Sequence, residues 1–137
     1  MNRHRISVRL QGLIVGLALA SSAFAGDIAV IMAPNAAPLT KEQIANIYLG
    51  RSLNYKPVDL PDTSPTRNDF YKKATDRDAA QVKAAWARLM FTGKGQPPKI
   101  LSSAAEVKKA VAADPQSVGY IDRADVDATV KVVLTLN

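Results

Sequence analysis

The sequence predicts an α/β fold built on a mixed, mostly parallel central sheet, and three observations carry that expectation. Asp27 to Ala33 is a nearly continuous apolar run of strand length, the pattern of a strand buried on both faces. Thr40 and Ser103 each stand three residues ahead of a Gln or Glu, the spacing of a capping box that opens a helix. Extended and helical segments then alternate to the end of the chain, with no internal repeat and no low-complexity stretch.

The first 25 residues read as an address and not as part of the fold. Arg3, His4, Arg5 and Arg9 form a positive n-region, Leu13 to Ala20 is an apolar core too short to span a bilayer, and Ala23-Phe24-Ala25 is a small-x-small cleavage site. The alternative is an uncleaved anchor. Cleavage would leave residues 26–137 as one α/β domain, about 112 residues, enough for a single modest core and not for two.

From there the elements follow in order. The first strand is broken by the stretch from Pro34 to Pro38, and a helix begins after Thr40 with Ile44, Ile47 and Tyr48 inward and Gly50 at its end. Lys56 to Leu60 is a second short strand, and Pro65 to Ala74 a helix. A longer helix from Asp78 to Phe91 has Val82, Ala85, Trp86, Leu89 and Met90 at offsets 0, 3, 4, 7 and 8, which makes Trp86 a core residue before it is a stacking platform. Thr92-Gly93-Lys94-Gly95 is a flexible turn without the spacing of a nucleotide loop. Lys99 to Leu101 is a short run, and a helix opened by the Ser103 box ends at Asp114-Pro115 with Val107, Ala110 and Val111 inward. Ser117 to Ile121 and Thr129 to Leu136 close the chain as strands.

Composition excludes several chemistries. The chain has no cysteine and one histidine, His4, which lies in the leader. Without them there are no thiol nucleophiles, histidine bases, catalytic triads or disulfides, and no ordinary zinc site. Asp122 to Asp127 holds three acids but lacks the glycine and the distal glutamate of a calcium loop, and reads as a polar turn. No cofactor and no metal are expected, and no enzymatic activity. The leader carries three of the eighteen Lys and Arg residues and none of the twelve acids, so the formal charge falls from +6 to +3 without it. The remaining bases are interleaved with carboxylates, which argues against a nucleic-acid partner.

The most informative segment is Val58 to Phe70, where an apolar run stops and a helix starts at Ser64-Pro65-Thr66-Arg67. Ser64 suits an N-cap, and Pro65 suits the first helical position, where its missing N–H costs nothing. A helix start exposes unpaired N–H donors and a partial positive charge, and here two hydroxyls and a guanidinium stand beside it. That combination suits a phosphate-sized anion held by Ser64, Pro65, Thr66 and Arg67. A plain capped surface helix with a solvated arginine has the same residues, so both readings stay open.

Four motifs in this order carry a resemblance: Ile47-Tyr48-Leu49-Gly50, Ser64-Pro65-Thr66 at a helix start, Phe91-Thr92-Gly93-Lys94-Gly95, and Ser117-Val118-Gly119-Tyr120-Ile121. The chain resembles the periplasmic phosphate-binding proteins of phosphate ABC transporters over nearly all of Ile28 to Leu134. The resemblance implies a three-layer sandwich equivalent to a single lobe, the second, of a two-lobed binding protein that closes on its anion. It also implies that Ser64 and Thr66 match the serine and threonine of a Ser-Gly-Thr turn that donates to phosphate. The family's glycine is Pro65 here, and its arginine four residues before the serine is Leu60, so Arg67 would have to supply the charge from another direction.

Two functions follow from this reading. One is a periplasmic oxyanion-binding protein, with inorganic phosphate as the default ligand, serving uptake or sensing and completed by a homodimer if a second chain supplies the missing wall. The other is a non-catalytic interaction module that kept the fold, lost the ligand and docks on an envelope transporter, porin or sensor.

Overall fold

Five strands form one sheet in the order β3-β2-β4-β1-β5. The computed structural model describes residues 26–137, and the leader expected over residues 1–25 lies outside the described residues. The elements are β1 (Ile28–Met32), α1 (Lys41–Tyr48), β2 (Lys56–Asp59), α2 (Pro65–Thr75), α3 (Ala79–Phe91), β3 (Lys99–Ile100), α4 (Ala104–Ala113), β4 (Ser117–Asp122) and β5 (Lys131–Leu136), with a 3-10 turn at Arg123–Asp125.

The sheet is mixed through one strand. β2 runs parallel to β3 and to β4, while β1 is antiparallel to both β4 and β5. Four strands therefore point one way and β1, held between β4 and β5, points the other. All five residues of β1 are buried, as a strand covered on both faces requires.

Connection handedness explains the two covering layers. The chain steps from β2 to β3 in one lateral direction and from β3 back past β2 to β4 in the other. Right-handed crossovers in opposite directions place their helices on opposite faces. Gly119 and Tyr120 report this directly. A Cβ at Gly119 would lie 2.6 Å from Val107 and 3.2 Å from Val111 of α4, so only glycine lets that helix sit so close to β4. The next residue points to the other layer, where the Tyr120 ring stacks on Phe70 of α2 with centroids 3.8 Å apart. Tyr48 of α1 packs edge-on against the same pair and donates its hydroxyl to the Val58 carbonyl.

Local signals held for most helix ends. Thr40 and Asp78 each complete a capping box, with Gln43 and Gln81. At α4 the expected box is altered: Ser103 accepts from the Glu106 N–H, but the Glu106 carboxylate takes the Ser102 N–H and not that of Ser103. Trp86 is buried and donates its indole N–H to the Tyr48 carbonyl, at 2.7 Å. Met90, expected inward, is 54% exposed, because the last turn of α3 runs out beside the edge strand β3. β5 starts at Lys131 and not at Thr129, since the Asp127 side chain captures both the N–H and the hydroxyl of Thr129 in a turn.

Candidate functional site

The turn singled out by sequence lies at the carboxyl ends of β2, β3 and β4, where Ser64 and Thr66 come together. After Asp59 the chain turns through Leu60 to Thr63, and Ser64 caps α2, its hydroxyl accepting the Arg67 N–H at 3.4 Å. Pro65 occupies the first helical position, exposed and without an N–H. From the neighbouring strand β3 the chain enters α4 on the opposite face, at Ser102, Ser103 and Ala104. Adjacent strands whose following helices depart to opposite faces leave a crevice between them. Here it is a cleft of about 330 Å³ bounded by Ser64 and Thr66 on one side, Ser102 to Ala104 on the other, and Ile121, Asp122 and Asp125 below.

Two helix starts thus converge on one cavity. Each brings a partial positive charge, but the free donors are few: in α2 Pro65 has no N–H and Ser64 takes that of Arg67, which leaves Thr66, and in α4 Ser103 takes that of Glu106, which leaves Ala104 and Ala105. The second helix start was missing from the sequence-based site. Its capping serine was visible, but not that α4 would begin beside α2. The cleft also holds opposing charge: Thr66 donates its hydroxyl to Asp122 at 3.1 Å, and Asp125 is a second lining carboxylate. Among the described residues no lysine or arginine lines it. Among the described residues the Ser64 hydroxyl accepts the Arg67 N–H and has no hydrogen bond to a carboxylate.

Arg67 goes elsewhere. Its side chain turns to the opposite side of α2, into a groove walled by Tyr71, Val82, Trp86, Met90, Pro97, Pro98 and Ile100. Arg67 Nη1 lies 2.7 Å from Asp62 and Nε 3.4 Å from Asp59, the latter an ion pair without hydrogen-bond alignment. The guanidinium also stands over the Tyr71 ring, 5.2 Å from its centroid. Burial opposes its charge, but the attraction of Asp59, followed by Tyr71 and Asp62, outweighs burial and raises its pKa. The expectation that Arg67 stands beside Ser64 and Thr66 is therefore corrected: the three share a turn but not a face.

Asp59 is the centre of this second cluster. It is buried, accepts the hydroxyls of Tyr71 and Tyr120, and accepts the Leu60 N–H at 2.9 Å. Burial first, and then the Asp59 charge, push both tyrosines well above their ordinary range. Tyr48, fully enclosed, is raised by burial and by its neighbour Tyr120. Among the described residues no group of three or more acids is placed to hold a metal ion. Of the acids in the Asp122 to Asp127 stretch, Asp122 accepts from Thr66 and Asp127 from Lys108 and Thr129, while Asp125 lines the cleft.

Neither a protein-family model nor a curated protein sequence matches the chain. Solved structures do. An ABC-type phosphate transport receptor from Vibrio cholerae superposes with a TM-score of 0.61 at 20% identity, covering 80% of this chain and 46% of its own. A phosphate ABC transporter substrate-binding protein with bound phosphate from Clostridium perfringens gives 0.63 at 24% identity, covering 80% and 45%. PstS from Borrelia burgdorferi gives 0.51 at 17%, covering 70% and 41%. The chain therefore spans a little under half the length of these structures, as a single lobe would. Its fold is that of a lobe of phosphate ABC transporter substrate-binding proteins.

Proposed function

We propose that this protein is a non-enzymatic oxyanion-binding lobe that takes inorganic phosphate or a similar anion in the cleft between the starts of α2 and α4, and that it works in the periplasm after removal of residues 1–25. The observation that carries the reading is the convergence of two helix N-termini and the hydroxyls of Thr63, Ser64, Thr66, Ser102 and Ser103 on one cavity. The fold neighbours, described as phosphate transport receptors and substrate-binding proteins, support it.

The chemistry predicts weak binding. A helix terminus contributes about 0.3 to 1 kcal/mol toward an exposed anion. The Asp122 and Asp125 carboxylates oppose it, and an open cleft keeps the anion hydrated and screened. Affinity in the range of about 0.1 to 1 mM, roughly 4 to 5.5 kcal/mol, is expected. Calorimetric titration with phosphate, sulfate and a simple carboxylate tests this. Saturable binding that Ser103→Ala or Ser64→Ala weakens supports the cleft; no saturation up to about 10 mM phosphate removes the reading.

The second reading is the interaction module, meeting an envelope transporter, porin or sensor. It is favoured by the engagement of Thr66 with Asp122 and of Arg67 with Asp59 and Asp62, which leaves no free cation for a ligand at the turn. Under that reading phosphate fails to bind and a protein partner remains. A homodimer that closes the cleft would reconcile the first reading with tighter binding, and sedimentation with and without phosphate detects it.

A further inference from the structure

We propose that the open edge of the sheet at β3, together with the apolar groove beside it, docks an extended peptide segment whose residues alternate between apolar and acidic. The outer edge is available because β3 is the terminal strand. Leu101 donates its N–H inward to the Asp59 carbonyl at 2.8 Å, so by the alternation of a strand the N–H and C=O of Ile100 face outward, a matched donor and acceptor for an added strand.

The register decides what that strand carries. Ile100 pairs with Asp59 and Lys99 with Val58. Ile100 therefore stands on the same face as the Arg67 cluster, where it lines a groove of about 280 Å³ with Val82, Trp86, Met90, Pro97 and Pro98. The groove accepts an apolar side chain. Met90 and Ile100, 54% and 59% exposed, are two of the four exposed large hydrophobic residues among the described residues, and Phe91 adjoins Met90. Such a concentration marks a contact surface more than scattered exposure does.

On the other face stands Lys99, with no ion pair among the described residues. Lys99 is exposed on this face, and the Glu106 carboxylate near it is already bonded to the Ser102 N–H. This face suits an acidic residue. Charge also argues against a second copy of the chain as occupant: two β3 strands paired about a two-fold axis would bring the two Lys99 side chains together on one face, and like charges across a strand pair are unfavourable.

The experiment uses isotope-labelled protein and two capped hexapeptides, one alternating leucine with aspartate and the other leucine with lysine. The leucine-aspartate peptide is expected to shift the amides of Ile100 and Met90 saturably and to slow exchange of the Ile100 amide, with the lysine peptide weaker. Ile100→Pro removes the outward N–H together with the isoleucine side chain that lines the groove, and should weaken binding at least about tenfold, since an edge strand tolerates proline there. Lys99→Glu should reverse the preference between the peptides, and it carries the test if Ile100→Pro does not fold. No saturable shift at Ile100 up to millimolar peptide, equal binding of both peptides, or self-association that protects Ile100 without peptide would overturn the proposal.

Discussion

The two sides of the first turn of α2 are built to opposite ends. On one side Arg67 is closed into a cluster with Asp59, Asp62, Tyr71 and, through Asp59, Tyr120. On the other, Ser64 and Thr66 face an open cleft that contains two helix starts, two carboxylates and, among the described residues, no cation. Both sides collect polar groups, yet only one is free to meet an anion. The difference lies in whether the groups are already satisfied: a buried guanidinium with two carboxylates has little left to offer an anion, whereas the first-turn amides that the capping serines leave over, those of Thr66, Ala104 and Ala105, do.

The largest effect is expected on the closed side. Asp59→Ala removes the acceptor of two tyrosine hydroxyls and one of the two partners of Arg67. Breaking one partner of a buried pair costs about 3 to 5 kcal/mol, so urea unfolding should show a loss of that order. A loss below about 1 kcal/mol would mean that the cluster is solvated and not closed.

Alkaline pH probes the same side without a mutation. Tyr48, Tyr71 and Tyr120 have pKa values raised in the fold, chiefly by burial. The unfolded chain releases these protons near pH 10 and the folded chain keeps them, so their contribution to stability is complete below about pH 10 and declines above it. Three such groups give a slope of up to about 4 kcal/mol per pH unit. Tyrosinate absorbance from these residues should therefore appear together with loss of tertiary structure. Gradual ionisation in a protein that stays folded would contradict the burial assigned to them.

How much of this was legible in the sequence divides along the same line as the two sides of α2. Signals confined to a few residues were readable: the Thr40 box, the Ser64 cap with Pro65 behind it, the β1 run, and Trp86 on its stripe. Successive helix residues point about 100° apart, so Thr66 and Arg67 could not serve one ligand from one face, and strict attention to that angle would have separated them. Asp59 was hidden in an apparent apolar strand, and its role depends on Tyr120, 61 positions away. Ser102 and Ser103 reach the cleft only because α4 crosses to the opposite face, a property of strand order that no local pattern encodes. Met90 satisfied its periodicity but lay beyond the layer that would have covered it.

A moderate effect is expected from reversing the charge balance of the open side. Asp122→Asn keeps an acceptor for the Thr66 hydroxyl while removing a lining negative charge. A unit charge about 5 Å from an anion in a solvated cleft is worth about 1 kcal/mol, so phosphate should bind roughly fivefold more tightly, and the gain should shrink at high salt. An unchanged affinity would place the anion outside this cleft.

The smallest effect on binding is expected from the residue that looked most like an anion ligand. A charged hydrogen bond from Arg67 to phosphate would make Arg67→Ala cost about 1.5 to 3 kcal/mol of affinity. Held instead against Asp59 and Asp62 on the far side of α2, its charge reaches the cleft only through screening solvent and protein. Removing it should change phosphate affinity by less than about 0.5 kcal/mol. The comparison is made at a temperature where circular dichroism shows the variant folded, because losing the partner of buried Asp59 lowers stability whatever happens to the ligand. A drop in affinity of tenfold or more in the folded variant would show that Arg67 leaves its carboxylates to grip the anion, and that the closed side of the turn opens on binding.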